Sequence, residues 1–349
     1  MKRKLFAIFT LSVLVLNAAV FAQTRTRTRT VANGNTADLV ALLPASDGVA
    51  VIDVKRFLST ALPQLLSGNQ QMLAEVTRGI DDAKAKTGID LRQFDVVAAG
   101  ITATKVKEKE YDFDTVLIAR GKVSSGAVIG AAKLAANGKY REEKVGEKTV
   151  YIFSPSEIAA DHLPNGNSKI ARLIHKAVGG SGEKAVTAVD PNTIAVGSVQ
   201  KVKDAAAGTS KVGADVSGLL NKTTSSVMTF AAKVPAGMSE FLPLENDELG
   251  KNVDAIKYLY GSMDVVGTTT TLNATARTLQ TEQAASLKDT LDGLQMIGKA
   301  FLGNAKGSDK QVYARLIENV KFAAKGNEVS MDLAIAQPDI DFLVGLLSK

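Results

Sequence analysis

The chain holds two imidazoles, His162 and His175, thirteen residues apart in 349. No His-Glu-x-x-His pattern adds zinc ligands at a workable spacing. Cysteine is absent, which removes thiolate metal sites, thiol nucleophiles and disulfides together. Ser-x-x-Lys occurs at Ser181–Lys184 and at Ser198–Lys201, a pairing in which a lysine activates a serine. The Ser-Asp-Asn and Lys-Thr-Gly elements that complete such sites are missing, as is a Gly-x-Ser-x-Gly elbow. Gly179–Lys184 looks like a phosphate loop, but the pattern puts a helix before it and a strand after it. A phosphate loop needs the reverse order, so this segment reads as a helix end and a turn.

Carboxylates are the remaining candidates. Asp112 and Asp114 are two apart in a strand pattern, so they share a face, the geometry that can hold a cation or a proton. Asp81 and Asp82 fall on a helical pattern. Asp339 and Asp341 open the last helix, where the helix dipole favours acids. No calcium-loop spacing follows any of them. All read as solvated charge. No cofactor or metal is expected, and the residues favour a non-catalytic protein over an enzyme.

The patterns around these residues describe an α+β chain. Gly48–Val54 reads as a first strand after the turn Pro44–Gly48. Leu73, Val76, Ile80 and Ala83 recur at spacings of three and four and line one helix face, which Thr87-Gly88 stops. Strands follow at Phe94–Thr104 and Phe113–Lys122, joined by the charged hairpin connection Lys105 to Asp112. A small-residue helix capped at Ser124 or Ser125 leads to a hairpin, Tyr140–Phe153, turning at Gly146. In the second half, strands are expected at Val227–Val234, Ile256–Val266 and Thr269–Thr278. A helix then runs from Thr281 to Leu302, and the hairpin Val320–Ala336 turns at Gly326-Asn327. Pro338 opens a closing helix.

The first residues are a different kind of signal. Met1-Lys2-Arg3-Lys4 is a basic start, Leu5–Ala22 an apolar run, and Ala18, Ala19 and Ala22 are small exit residues. Together they read as a secretory signal peptide, residues 1–22, cleaved near Ala22, for a secreted or periplasmic protein. Removing Lys2, Arg3 and Lys4 takes the net charge from +6 to +3. Arg25, Arg27 and Arg29 carry that remainder in a Thr/Arg repeat. Residues 23–37 therefore read as a disordered tail able to touch anionic surfaces weakly. The folded part is near neutral and lacks Trp, so nucleic-acid binding is not expected.

Ala171-Arg172-Leu173-Ile174 and Ala314-Arg315-Leu316-Ile317 open similar helix, strand, turn, strand orders, the mark of an internal repeat. The expectation is two similar halves, residues 38–210 and 224–349, each a mostly antiparallel sheet packed by helices. A Gly/Ser/Lys/Thr-rich link at Gly208–Thr224 would join them. With phrases such as Thr87-Gly88-Ile89-Asp90-Leu91, the arrangement resembles uncharacterised exported bacterial proteins with a duplicated α+β domain. That resemblance implies a fold, and no activity or site residues.

Three functions follow as expectations. The first is an exported, non-catalytic binding or interaction protein of the cell envelope, with an envelope protein or an apolar molecule as partner. The second is a carrier of an apolar ligand in a groove between sheet and helix, lined by Leu287, Leu291 and Leu294. The third is a hydrolase whose carboxylates only the tertiary structure assembles.

Overall fold

A computed structural model describes residues 33–107, 110–154, 182–222, 226–237, 247–303 and 307–348. The signal segment, the Thr/Arg repeat with Arg25, Arg27 and Arg29, both histidines, Ser181 and the tetrapeptide 171–174 lie outside the described residues. The fold is α+β, and the chain divides into two compact units. Val31–Ser59 and Gln71–Gly218 form the first; Thr60–Gln70 joins Leu219–Lys349 in the second.

Among the described residues, the first unit is built on seven antiparallel strands. These are β1 (Gly48–Asp53), β2 (Phe94–Lys107), β3 (Glu110–Gly121), β4 (Tyr140–Val145), β5 (Lys148–Phe153), β6 (Lys184–Asp190) and β7 (Thr193–Ser198), in the spatial order β1-β2-β3-β7-β6-β5-β4. The charged stretch after Thr104, expected as a connection, is mostly strand: β2 and β3 pair out to Lys107 and Glu110. Two long strands can run on into solvent as a ribbon when their charged side chains stay hydrated, and pattern alone does not show where pairing stops. Helices α1 (Asn33–Val40), α2 (Val54–Arg56), α4 (Gln70–Thr87, from Gln71 on), α5 (Ser125–Ala135) and α6 (Val199–Ala207) belong here, and α7 (Ala214–Leu220) crosses the boundary after Gly218. A π-helical turn, Phe57–Ala61, follows α2 and leads into α3 (Leu62–Leu65), which clusters with the second unit. The segment expected as a link is helical in α7, because Val216, Leu219 and Leu220 bury one side of it. Gly88 and Gly146 take positive φ at the stop and the turn where glycine was expected to allow them, and Gly208 does so at the end of α6.

The second unit pairs β8 (Met228–Lys233), β9 (Tyr258–Val266), β10 (Thr269–Arg277), β12 (Glu328–Ala336) and β11 (Lys321–Lys325) in the order β11-β12-β10-β9-β8. Helices α8 (Asp247–Asp254), α9 (Thr281–Leu302), α10 (Ser308–Asn319) and α11 (Gln337–Ser348) accompany them. A capping box between Gln280 and Gln283 opens α9. Its first half packs Ala284 and Leu287 on Val329 of β12.

Strands β3 and β7 approach so closely that one position admits only glycine. A Cβ on Gly197 would stand 2.2 Å from the Thr115 carbonyl oxygen, and a backbone atom cannot move aside cheaply. Gly197→Ala is expected to lower the urea-unfolding free energy by about 1–3 kcal/mol, the usual cost of overpacking. An unchanged midpoint would contradict this register.

Candidate functional site

Strand alternation gives the first unit's sheet two unlike faces. A one-residue bulge at Asp95 shifts the register of β2 against β3. That shift puts Phe94 and Val97 on the same side. Val97 then pairs with Ala119 of β3, which pairs with Ile194 of β7, and Leu117 pairs with Val196 in the next row. Residues pointing the other way, Val96, Ala98, Val116, Ile118 and Ala195, are buried. Val97, Leu117, Ala119 and Val196 are only half-buried.

The reason is an open space above them. Phe94, Val97, Leu117, Ala119, Ile194 and Val196 floor a cleft of about 340 Å³, and Val54, Leu58, Ile80 and Leu91 form its roof. This size lies at the small end of ligand pockets. Every lining side chain is apolar. The neighbouring core of Ile89, Phe94, Val123 and Ile194 continues the same apolar surface where α5 covers it.

Helix α4 explains why the space stays open. Its apolar stripe, Leu73, Val76, Ile80 and Ala83, faces inward as the spacing implies, yet none of its eighteen residues is fully buried. A helix of this length with one apolar stripe normally buries that stripe completely. Ion pairs hold its last turns instead. Lys84 lies 3.0 Å from Asp90, and Arg92 contacts Asp81 at 2.8 Å and Asp90 at 3.5 Å. Asp90 caps, and Arg92 lies within, a 3-10 turn, Leu91–Gln93, that carries the roof residue Leu91. The Arg92 backbone N–H and the Lys84 ammonium hold the Asp90 carboxyl below its ordinary pKa.

The expected site residues fall elsewhere. Leu287 is buried and Leu291 packs against it in the second unit's core, while Leu294 is 44 % exposed. The α9 stripe is therefore filled core along its first half, not a groove. Asp112 and Asp114 are exposed near the outer end of β3. Asp81 is committed to Arg92. Asp339 is buried and accepts from Arg315 at 3.0 and 3.2 Å, and Asp341 accepts from the Gly68 N–H and from Gln337. Another charged cluster joins Glu328 to Arg277 at 2.8 Å and Lys222 at 3.0 Å beside the Tyr260 ring. Burial pushes the Glu328 carboxyl up, and hydrogen bonds from Arg277, Lys222 and Tyr260 more than offset it. No group of three metal-ligating side chains converges among the described residues. No described helix is long and apolar enough to cross a membrane. No part of the sequence reading pointed to the cleft: the α4 stripe looks the same whether it meets a filled core or a void.

No protein-family model matches the chain, and no curated protein matches it. Among solved structures it is similar to three crystal forms of the Treponema protein TP0453, at 10, 9 and 11 % identity. Those matches cover 89, 88 and 92 % of this chain and 98, 98 and 100 % of the other, with TM-scores of 0.40, 0.43 and 0.43. Likeness at that level carries nothing over to this chain. The class is therefore defined by its own features: an α+β protein whose antiparallel sheet carries an apolar cleft under a loosely held helix.

Asp90 sets a pH dependence for that helix. Its folded pKa is depressed, so its contribution is fully present above the ordinary value of 3.8 and is lost as pH falls through the folded value below it. Amide hydrogen exchange in α4 is expected to quicken selectively on acidification below that point. Asp90→Asn should quicken it already at neutral pH. Uniform exchange across both units would show that the ion pairs do not hold the helix.

Proposed function

We propose that the protein is an exported, non-catalytic binding protein that takes an apolar ligand in the cleft beneath α4. One observation carries the reading: ten side chains from three strands and four helical segments converge on an open volume with no polar group among them. The open cleft leaves its apolar lining in contact with solvent, which forfeits roughly 25 cal/mol for each Å² not buried. A ligand that fills it recovers that energy. Export rests on the N-terminal pattern of basic, apolar and small residues. The hydrolase reading draws no support from the exposed Asp112 and Asp114.

Filling the space from inside tests this without burying charge. Ala119→Leu is expected to abolish binding of the fluorescent apolar probe N-phenylnaphthylamine while the melting temperature holds or rises. Undiminished probe binding by that variant would remove the cleft as the site.

A second reading, contact with the envelope's own lipid surface, draws on the far end of α9. Leu294, Ile297 and Phe301, at helical spacing, are 44, 63 and 82 % exposed, and Met296 is 69 % exposed. No acid occurs between Gly293 and Leu302, and Lys299 stands among them. An apolar helix face that carries a lysine and no acid suits an anionic bilayer surface. Because the chain has no Trp, Phe301→Trp makes a unique reporter. Its emission is expected to shift to shorter wavelength when phosphatidylglycerol vesicles are added, and an unchanged spectrum would end this reading.

A further inference from the structure

Beside the cleft lie two buried hydroxyls, Thr115 Oγ1 and Ser198 Oγ, with no hydrogen-bond partner among the described residues. Buried polar atoms in native proteins are nearly always paired, so an orphaned pair calls for an explanation. Their position is fixed by the sheet. Thr115 precedes the floor residue Leu117 by two, Ser198 follows the floor residue Val196 by two, and Leu117 and Val196 are cross-strand partners. Alternation therefore turns both hydroxyls to the cleft face, one row beyond the apolar floor. That step is about 7 Å along the strands.

The row continues on β6. Lys184 is the cross-strand partner of Ser198, as Val186 is of Val196. Lys184 is half-buried and makes no ion pair among the described residues. Burial draws its pKa below the ordinary lysine value, with the Asp114 and Asp112 charges acting in the opposite sense. By alternation those two carboxylates lie on the other face of β3 from Thr115. Thr115, Ser198 and Lys184 thus form a polar row with donors to spare, next to the apolar row Leu117, Val196 and Val186.

We propose that the ligand of the cleft is a long-chain fatty acid, with its hydrocarbon chain over the floor of β2, β3 and β7. Its carboxylate accepts hydrogen bonds from Thr115, Ser198 and Lys184. The proposal rests on the cleft being an apolar-ligand site and adds the head-group chemistry. A carboxylate suits all three groups at once: it accepts from two hydroxyls and an ammonium, and it offers a direct ion pair to a half-buried lysine that makes none among the described residues. A ligand with no acceptor at its end would leave the row unpaired.

The test sets palmitic acid against methyl palmitate, which keeps the chain and loses the charge. Each displaces N-phenylnaphthylamine from the full-length protein. The acid is expected to bind roughly ten-fold tighter than the ester or better, the range of a charge-assisted hydrogen bond. Lys184→Met is expected to bring that ratio towards one with ester affinity and melting temperature unchanged, because the ester has no charge for the ammonium to pair with. Equal affinity for acid and ester in the unaltered protein overturns the head-group assignment and leaves the cleft standing. Variants that weaken both ligands alike mark a structural role and also overturn it. If neither compound displaces the probe, and Ala119→Leu does not lower probe binding, the cleft itself is not the site.

Discussion

The alternation of side chains along β2, β3 and β7 is the constraint on which the candidate site depends. Successive residues of a strand point to opposite faces, so one register decides which side chains meet the filled face and which meet the open one. The bulge at Asp95 matters for that reason. Without the extra residue, Phe94 would turn to the face of Val96 and Ala98, and the floor would lose its aromatic edge. Gly197 belongs to the same constraint, since only a residue without Cβ lets β7 lie against Thr115 at this register.

The open face is a balance between apolar surface and the helix above it. The stripe of α4 is too narrow and too lightly seated to fill the space, while Lys84, Asp90, Arg92 and Asp81 hold its last turns through exposed ion pairs. Such pairs contribute little stability each. They suit an element that must stay near the sheet without collapsing on it. A fully packed helix would raise stability and close the cleft. The polar row of Thr115, Ser198 and Lys184 lies just past the apolar floor, so one strand face changes from hydrocarbon-like to hydrogen-bonding within a single step of two residues.

In the second unit the same materials are used differently. Leu287 and Ala284 of α9 pack on Val329, and the stripe is consumed as core. Towards the end of the helix the core stops and Ile297 and Phe301 remain exposed. One helix thus carries a structural half and an unpartnered half. Leu291 and Leu294, three residues apart, fall on either side of that change.

Much of the fold was legible in the amino-acid order. The strands β1, β4, β5, β9 and β10, the whole of α9, the hairpin of β11 and β12 and the glycine stops at Gly88, Gly146 and Gly326 follow from local rules. Those rules are side-chain period, caps and the need for positive φ. The helical stretch after Asp53 and the helix α7 were not legible, because short elements with few residues per face give no clear period. The candidate site was not legible at all. Val97, Leu117, Ala119, Ile194 and Val196 come from three strands spread over a hundred residues, and nothing local distinguishes a half-buried valine from a buried one. Sequence alone determined the α+β class, the absence of thiol chemistry, the near-neutral fold and the expectation of export, because each depends on composition or on neighbours in the chain. Only the tertiary structure decided where an apolar surface is left uncovered and which hydroxyls are left unpaired, because both are set by register and packing between segments distant in sequence.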